Sequence, residues 1–545
     1  MKYLPTGIDD FKILRENNYF YIDKTELIEE LGKNIGKTLL FTRPRRFGKT
    51  LNMSTVKNFF DIKYAQENKS LFDKLYISTS EYMSEQGKYP VIYLSFKDIK
   101  YLTWEKSSEK IKNLISSLYD CFEFIKEKLN KKQLITFENI WLQKENADWE
   151  NSLKILSEYL HKYYNQKVVI LIDEYDATIV SAYENNYYNE AMEFFRNFYS
   201  TVLKNNEFLH LGVMTGILRV AKEGIFSGLN NLTVYNILED KFSEYFGLTE
   251  KEVKEALKYY NLEYKIEDVK EWYDGYQFGN SDIYNPWSII KFLENQKLEA
   301  YWINTSGNDL INSLLMKADK NIFEDLQKLF NKENIYKIVD SYSNFYDFKN
   351  IEEIWQLFLN SGYLTTNGKN IENKIYPLKI PNREIYEFFK EVFIDRFLIS
   401  YEKFTKVTDY LKLKNFKAFE ESLQNEILSS VSYFDINSEE LYYHAFINGL
   451  LLTMNDEYII TSNKESGYGR YDLSIKPFNI SKTGYIIEFK TAKNEKELSK
   501  KSEEALTQIK ENKYEIYMKK EGINDIIGIG IAFYGKKIKL CYENL

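Results

Sequence analysis

Cysteine is scarce in this sequence. Cys121 and Cys541 are the two in 545 residues, which excludes a disulfide framework and a cysteine-rich zinc site. Three histidines, His161, His210 and His444, argue against histidine-cluster metal centres and most histidine-base hydrolases. Any chemistry must rest on carboxylates, lysine, arginine and the backbone. Proline is rare too, 7 residues against 46 tyrosines and 37 phenylalanines, as expected of folded domains with few disordered linkers. There is no excess of positive charge. Lys and Arg number 73 against 81 Asp and Glu, a net charge of −8, so nucleic-acid binding would have to use local basic patches. No run of about 18 apolar residues is found, and MKYLPTGIDDFKILRENN lacks the apolar stretch of a secretory signal. No membrane association is expected, and the default location is cytoplasmic.

What is present is length and pattern. At ~100–200 residues per domain the chain has room for three or four domains. Short apolar runs, TLLFT (38–42), VIYLSF (91–96), VVILID (168–173) and FLHLGVMTG (208–216), alternate with amphipathic stretches. That pattern predicts a parallel sheet flanked by helices. From about residue 240 the pattern is mostly helical, as in LTEKEVKEALKYY (248–260), interrupted by the turns WYDGYQFGN (272–280) and YNPWSI (284–289). After about 435 the order is helix, strands, a long charged helix, then strands. No Gly/Ser-rich or Pro-rich linker marks a boundary; the divisions adopted are 1–238, 239–430 and 431–545.

Residues 43–50 read Arg-Pro-Arg-Arg-Phe-Gly-Lys-Thr between a strand and a helix, the context a phosphate-binding loop requires. Gly48 allows the backbone to approach phosphate, with the amides around Arg46 and Phe47 at the helix start. Lys49 would reach the β- and γ-phosphates of ATP, and the Thr50 hydroxyl would ligate Mg²⁺. Arg43 replaces the first glycine of the usual pattern, and a basic surface turn is the competing interpretation. Gly36-Lys37-Thr38 is a decoy, because it precedes the strand.

VVILIDEYDA supplies the partner. A carboxylate at such a strand end holds Mg²⁺ in phosphate-loop enzymes, here Asp173, and Glu174 can orient or deprotonate the attacking water. Thr215 ends a third strand and suits a γ-phosphate sensor. Arg219 could neutralise charge in the transition state, or be an ordinary surface residue.

Near the C-terminus, YDLSI and YIIEFK alternate so that Asp472 lies opposite Leu473 and Ile475, while Glu488 and Lys490 share a face. Paired as a hairpin, these strands would bring Asp472, Glu488 and Lys490 onto one surface. Two carboxylates there can hold Mg²⁺, and the lysine can position a water against a phosphodiester. A solvated hairpin face is the alternative. Glu440 and His444 on the preceding helix, and Gln508 on the following one, are further candidates.

These strings, GIDDFKILRENNYFYIDKTELI, RPRRFGKTL, LIDEYDA and TGILRVAKEGIFSGLNNL, resemble the AAA-like ATPase region of bacterial ATPase–nuclease fusions. NKESGYGRYDLSI with IIEFK and ALTQIKENKY is similar to the PD-(D/E)XK nuclease-superfamily domain fused to them. The resemblance implies an α/β architecture: an AAA-like P-loop NTPase parallel sheet, a helical and winged-helix-like lid, and a C-terminal α/β nuclease-like domain. It implies arginines before Phe47-Gly48-Lys49 as a family trait, and nucleotide and Mg²⁺ at Lys49, Thr50, Asp173 and Glu174. It implies a nuclease centre at Asp472, Glu488 and Lys490, with Tyr19–Thr25 beside the nucleotide base. The function expected is an ATPase whose nucleotide state regulates a Mg²⁺-dependent nuclease acting on nucleic acid, DNA in the first instance, in a chain able to form homo-oligomers. The alternative is a nucleotide-controlled switch with an inactive nuclease fold.

Overall fold

The computed structural model describes residues 1–34, 37–204, 206–219, 232–303, 320–330, 332–339, 351–366, 374–395, 401–430, 446–447, 449–454, 457–466 and 469–545. Contacts gather the chain into two compact units. One comprises Met1–Ser306, Lys337–Tyr376 and Pro381–Glu384; the other comprises Gly307–Tyr336, Pro377–Ile380 and Ile385–Leu545.

In the first unit the apolar runs become a parallel sheet. Strands β1 (Thr38–Thr42), β2 (Val91–Ser95), β3 (Val168–Asp173), β4 (Leu209–Gly216) and β5 (Leu232–Tyr235) lie in the order β2-β3-β4-β1-β5, each neighbouring pair parallel. Every residue of β1, β3 and β4 is buried, which is why these strands read as continuous apolar runs without alternation. The helix Lys49–Phe60 follows β1 and packs Met53, Val56, Phe59 and Phe60 into one core with Phe41, Val169 and Val213. Because β4 lies between β1 and β3, the carboxyl ends of all three strands meet at one edge.

The region expected to be helices and turns also contains a small sheet. Leu248–Thr249, Ser281–Tyr284 and Tyr276–Phe278 pair antiparallel in that spatial order, and the helix expected from Leu248 begins at Glu250. Thr249 and Glu252 form a reciprocal capping box, so the helix starts where its cap is and not where the apolar period begins. WYDGYQFGN enters a hairpin because short alternating segments flank the Gly279-Asn280 turn. Helices Ile266–Tyr273 and Pro286–Asn295 close a second core around Val253, Leu257, Ile289 and Phe292.

In the second unit, strands Tyr458–Ser466, Gly469–Pro477, Gly484–Thr491, Ile526–Tyr534 and Lys537–Asn544 form a mixed sheet in chain order. Gly484–Thr491 and Ile526–Tyr534 are parallel and the other pairs antiparallel. The parallel pair needs a crossover, supplied by the helix Leu498–Glu511. Gly530 permits that helix to close on the sheet, since a Cβ there would lie 2.1 Å from the Ser502 carbonyl oxygen. Both sheets agree with the expected α/β architecture. Among the described residues no helix is long and apolar enough to cross a membrane.

Candidate functional site

The turn from β1 into the helix Lys49–Phe60 takes left-handed backbone at Arg46 (φ 66°) and Gly48 (φ 80°). Gly48 adopts it without strain and leaves room, since nothing lies within 4 Å of where its Cβ would be. Lys49 is buried and donates to the carbonyls of Arg43 at 3.0 Å and Pro44 at 2.8 Å. Burial lowers its pKa, against the charges of Glu174, Asp173 and Asp176. Thr50 Oγ1 donates to Asp173 Oδ2 at 2.8 Å.

Arg43 replaces a glycine of the usual pattern with a brace. Its buried guanidinium donates to the carbonyls of Thr42 at 2.9 Å and Tyr235 at 2.8 Å, and lies over the rings of Phe246 and Phe278. The side chains of Arg46 and Phe47 also anchor the loop. Arg46 sits over Trp287, 4.4 Å from the ring centre, and Phe47 packs against Tyr276 and Phe278.

Asp173 is buried at the end of β3. Thr215 donates to its Oδ1 and Thr50 to its Oδ2, while burial raises its pKa. Thr215 thus stands between the loop strand and the acid strand with its hydroxyl on Asp173. The Glu174 amide lies 3.4 Å from the Thr215 hydroxyl, and Glu174 has φ 48°, an uncommon value for a residue with a Cβ. Asp176 accepts from the amides of Ile217 at 2.9 Å and Leu218 at 2.8 Å, and the Tyr175 hydroxyl donates to the Leu218 carbonyl. Those two residues clamp the segment leading to Arg219. In the sequence Asp176 is only the third acid of LIDEYDA; its hydrogen bonds appear once β3 and β4 are neighbours.

The C-terminal strands bring together Asp472, Glu488, Lys490 and Gln508. The hairpin register sets Leu473 opposite Ile487, with Asp472 and Glu488 one step further along. Glu488 is 2% exposed. Its Oε2 accepts from the Asp472 amide at 3.3 Å; its Oε1 accepts from Gln508 Nε2 and lies 3.6 Å from Lys490 Nζ. Burial, reinforced by the Asp472 charge, pushes the Glu488 pKa up to about 8 although Lys490 opposes the shift. Glu440, His444 and residues 220–231 of the TGILRVAKEGIFSGLNNL string lie outside the described residues.

Residues 5–226 match a family described as predicted AAA-ATPase, and residues 438–543 match the PD-(D/E)XK nuclease superfamily. The chain joins an AAA-ATPase-like region to a PD-(D/E)XK nuclease-superfamily region. It is also similar to a protein of Azotobacter chroococcum mcd 1 described as an uncharacterized protein in the vnfD 5′ region. The two are 27% identical over 320 residues, which make up 58% of this chain and 56% of that protein. The chain therefore spans little more than half the length of that relative.

The ATPase-like region fits a nucleotide with Mg²⁺ by its donor set. A buried carboxylate costs free energy unless paired, and Asp173 with the Thr50 hydroxyl offers the oxygen ligands a hard cation takes. Beside the loop lies a largely apolar cavity, lined by Phe20, Ile22 and Lys24 from the opening motif and by Gly48, Leu51 and Asn52. Asp23 organises that motif, accepting from the Thr25 amide and hydroxyl and from the Tyr76 amide. The nuclease-superfamily region offers Asp472 and Glu488 as oxygen donors. Among the described residues no group of three or more His, Cys, Asp or Glu is placed to hold a metal ion.

Proposed function

We infer that this protein binds and hydrolyses ATP, and that its nucleotide state regulates a Mg²⁺-dependent nuclease activity on DNA. The observation that carries the reading is the convergence of Asp472, Glu488 and Lys490 in a chain whose other region sets Lys49 and Thr50 against Asp173. In the ATPase-like region Lys49 exchanges its two carbonyl partners for phosphate oxygens, Glu174 orients water, and Arg219 compensates charge. In the nuclease-superfamily region Asp472 and Glu488 hold Mg²⁺, Lys490 positions the attacking water and Gln508 fixes the Glu488 carboxylate. Bound Mg²⁺ supplies electrophilic stabilisation of the phosphodiester. The negative net charge directs DNA contact to local basic segments beside the hairpin, such as those around Lys490, Lys493 and Lys496.

The test is a cleavage panel of single-stranded DNA, double-stranded DNA and RNA, with Mg²⁺, with and without ATP, using wild type and Asp472→Ala. The expected result is DNA cleavage by wild type that changes with ATP and is lost in Asp472→Ala. Equal cutting by the variant would sink the site assignment, and no cutting of any substrate would select a nucleotide-controlled binding protein.

A further inference from the structure

One carboxylate away from both candidate sites is buried against the phosphate loop's supports. Glu384 is 0% exposed and opens the helix Arg383–Asp395. Its Oε1 accepts from the Trp302 amide at 2.5 Å and its Oε2 from the Ser288 hydroxyl at 2.8 Å. Each partner leads to the loop. The Trp302 indole Nε1 donates to the Arg45 carbonyl at 3.0 Å. Ser288 follows Trp287 in the helix Pro286–Asn295, and the Trp287 ring carries the Arg46 guanidinium. A single carboxylate thus ties together two tryptophans that hold two consecutive residues of the loop.

The need for such a support follows from Lys49. As described, its ammonium holds the carbonyls of Arg43 and Pro44. When it turns to a phosphate it releases both, and the loop must keep its shape by other means. Trp302 still holds the next carbonyl in the run, that of Arg45. Burial of Glu384 costs free energy, pushing its pKa up to about 7, and an acid kept buried at that cost is a candidate for a positional role.

We propose that Glu384 is a positioning residue for the phosphate loop: through Trp302 and the Ser288–Trp287 turn, it holds the loop backbone in the shape that receives a nucleotide's phosphates. This rests on the nucleotide-binding reading of Lys49 and Thr50. Pre-organised amides bind an anion more tightly than amides that must first be ordered, so loss of the clamp weakens nucleotide affinity.

The experiment is a double-mutant cycle on the full chain, with ADP and Mg²⁺-ATP titrated calorimetrically into wild type, Glu384→Ala, Trp302→Phe and the double variant. Lys49→Ala serves as the reference. Glu384→Ala, which cuts both arms, is expected to weaken binding about tenfold, Trp302→Phe, which cuts one, by less, and the double variant no further than Glu384→Ala. Glu384→Gln should restore most of the affinity, since its amide oxygen can accept from Trp302 and its NH₂ can donate to Ser288. Tryptophan emission should change on ADP binding in wild type and lose much of that change in Trp302→Phe. If Glu384→Ala does not fold, Trp302→Phe and Ser288→Ala carry the test. Additive losses, or wild-type affinity in the folded variants while Lys49→Ala loses binding, would overturn the proposal alone. Wild-type affinity in Lys49→Ala as well would instead overturn the nucleotide reading beneath it.

Discussion

The Asp472 amide donates to Glu488 Oε2 at 3.3 Å, while Asp472 Oδ2 accepts from the amide of Phe489, the residue after Glu488, at 2.8 Å. Each acid is thus held by the other's strand, and the two carboxylates are fixed close together. Crowding of this kind stores an electrostatic cost that a divalent cation relieves.

That cost has a pH signature. The folded pKa of Glu488, about 8, lies above its ordinary value of 4.5, so folding takes up a proton between those limits. Its contribution to stability is fully present below the lower value and is lost as pH rises through the upper one. In chelator, the melting temperature of Glu488→Gln minus that of wild type should therefore grow from about pH 5 to about pH 8. Mg²⁺ should raise the wild-type melting temperature and leave Glu488→Gln unmoved. A difference that is flat across this range would contradict the assigned cost.

Arg43 gives a prediction about stability. Its removal leaves the Thr42 and Tyr235 carbonyls without their guanidinium donor and vacates the space between Phe246 and Phe278. Arg43→Ala should cost about 3 kcal/mol or more in urea denaturation, and Arg43→Lys should recover little, because an ammonium lacks the planar fork. An unchanged midpoint for Arg43→Ala would show that the brace contributes nothing.

On the proposed ATPase reading, Asp176 should separate binding from turnover. Its carboxylate hydrogen-bonds the amides of residues 217 and 218, which precede Arg219, and reaches the phosphate loop only through its charge on Lys49. Asp176→Ala should lower the ATP turnover rate about tenfold while nucleotide affinity stays within about twofold of wild type. Steady-state ATPase kinetics beside a binding titration read the two apart. Equal losses in both would assign Asp176 to the fold of the whole site.

Much of this molecule is legible along the chain because its elements are locally encoded. A strand buried on both faces must be apolar throughout, so β1, β3 and β4 stand out as runs. The turn from β1 into the following helix sets Gly48, Lys49 and Thr50 in succession at the helix start, a local pattern that shows along the chain. Alternation put Asp472 and Glu488 on a shared hairpin face, and the antiparallel register sets them one step beyond Leu473 and Ile487. The sheet at 248–284 was less legible, since its strands are two to four residues long, too short for a period to show.

What the linear order could not hold is which distant residues share a buried space. Arg43 reads as a departure from a glycine pattern until Phe246 and Phe278 surround it. Glu384 has no signal at all in its own neighbourhood; its meaning comes from Ser288 and Trp302, 96 and 82 residues away. The sequence alone determined the strands, the strand-to-helix turn at Gly48–Thr50 and the acids at strand ends, because backbone geometry imposes those patterns over a few residues. Only the tertiary structure decided which carboxylates are buried, braced or crowded, because desolvation and hydrogen bonding depend on what the folded chain packs against each group.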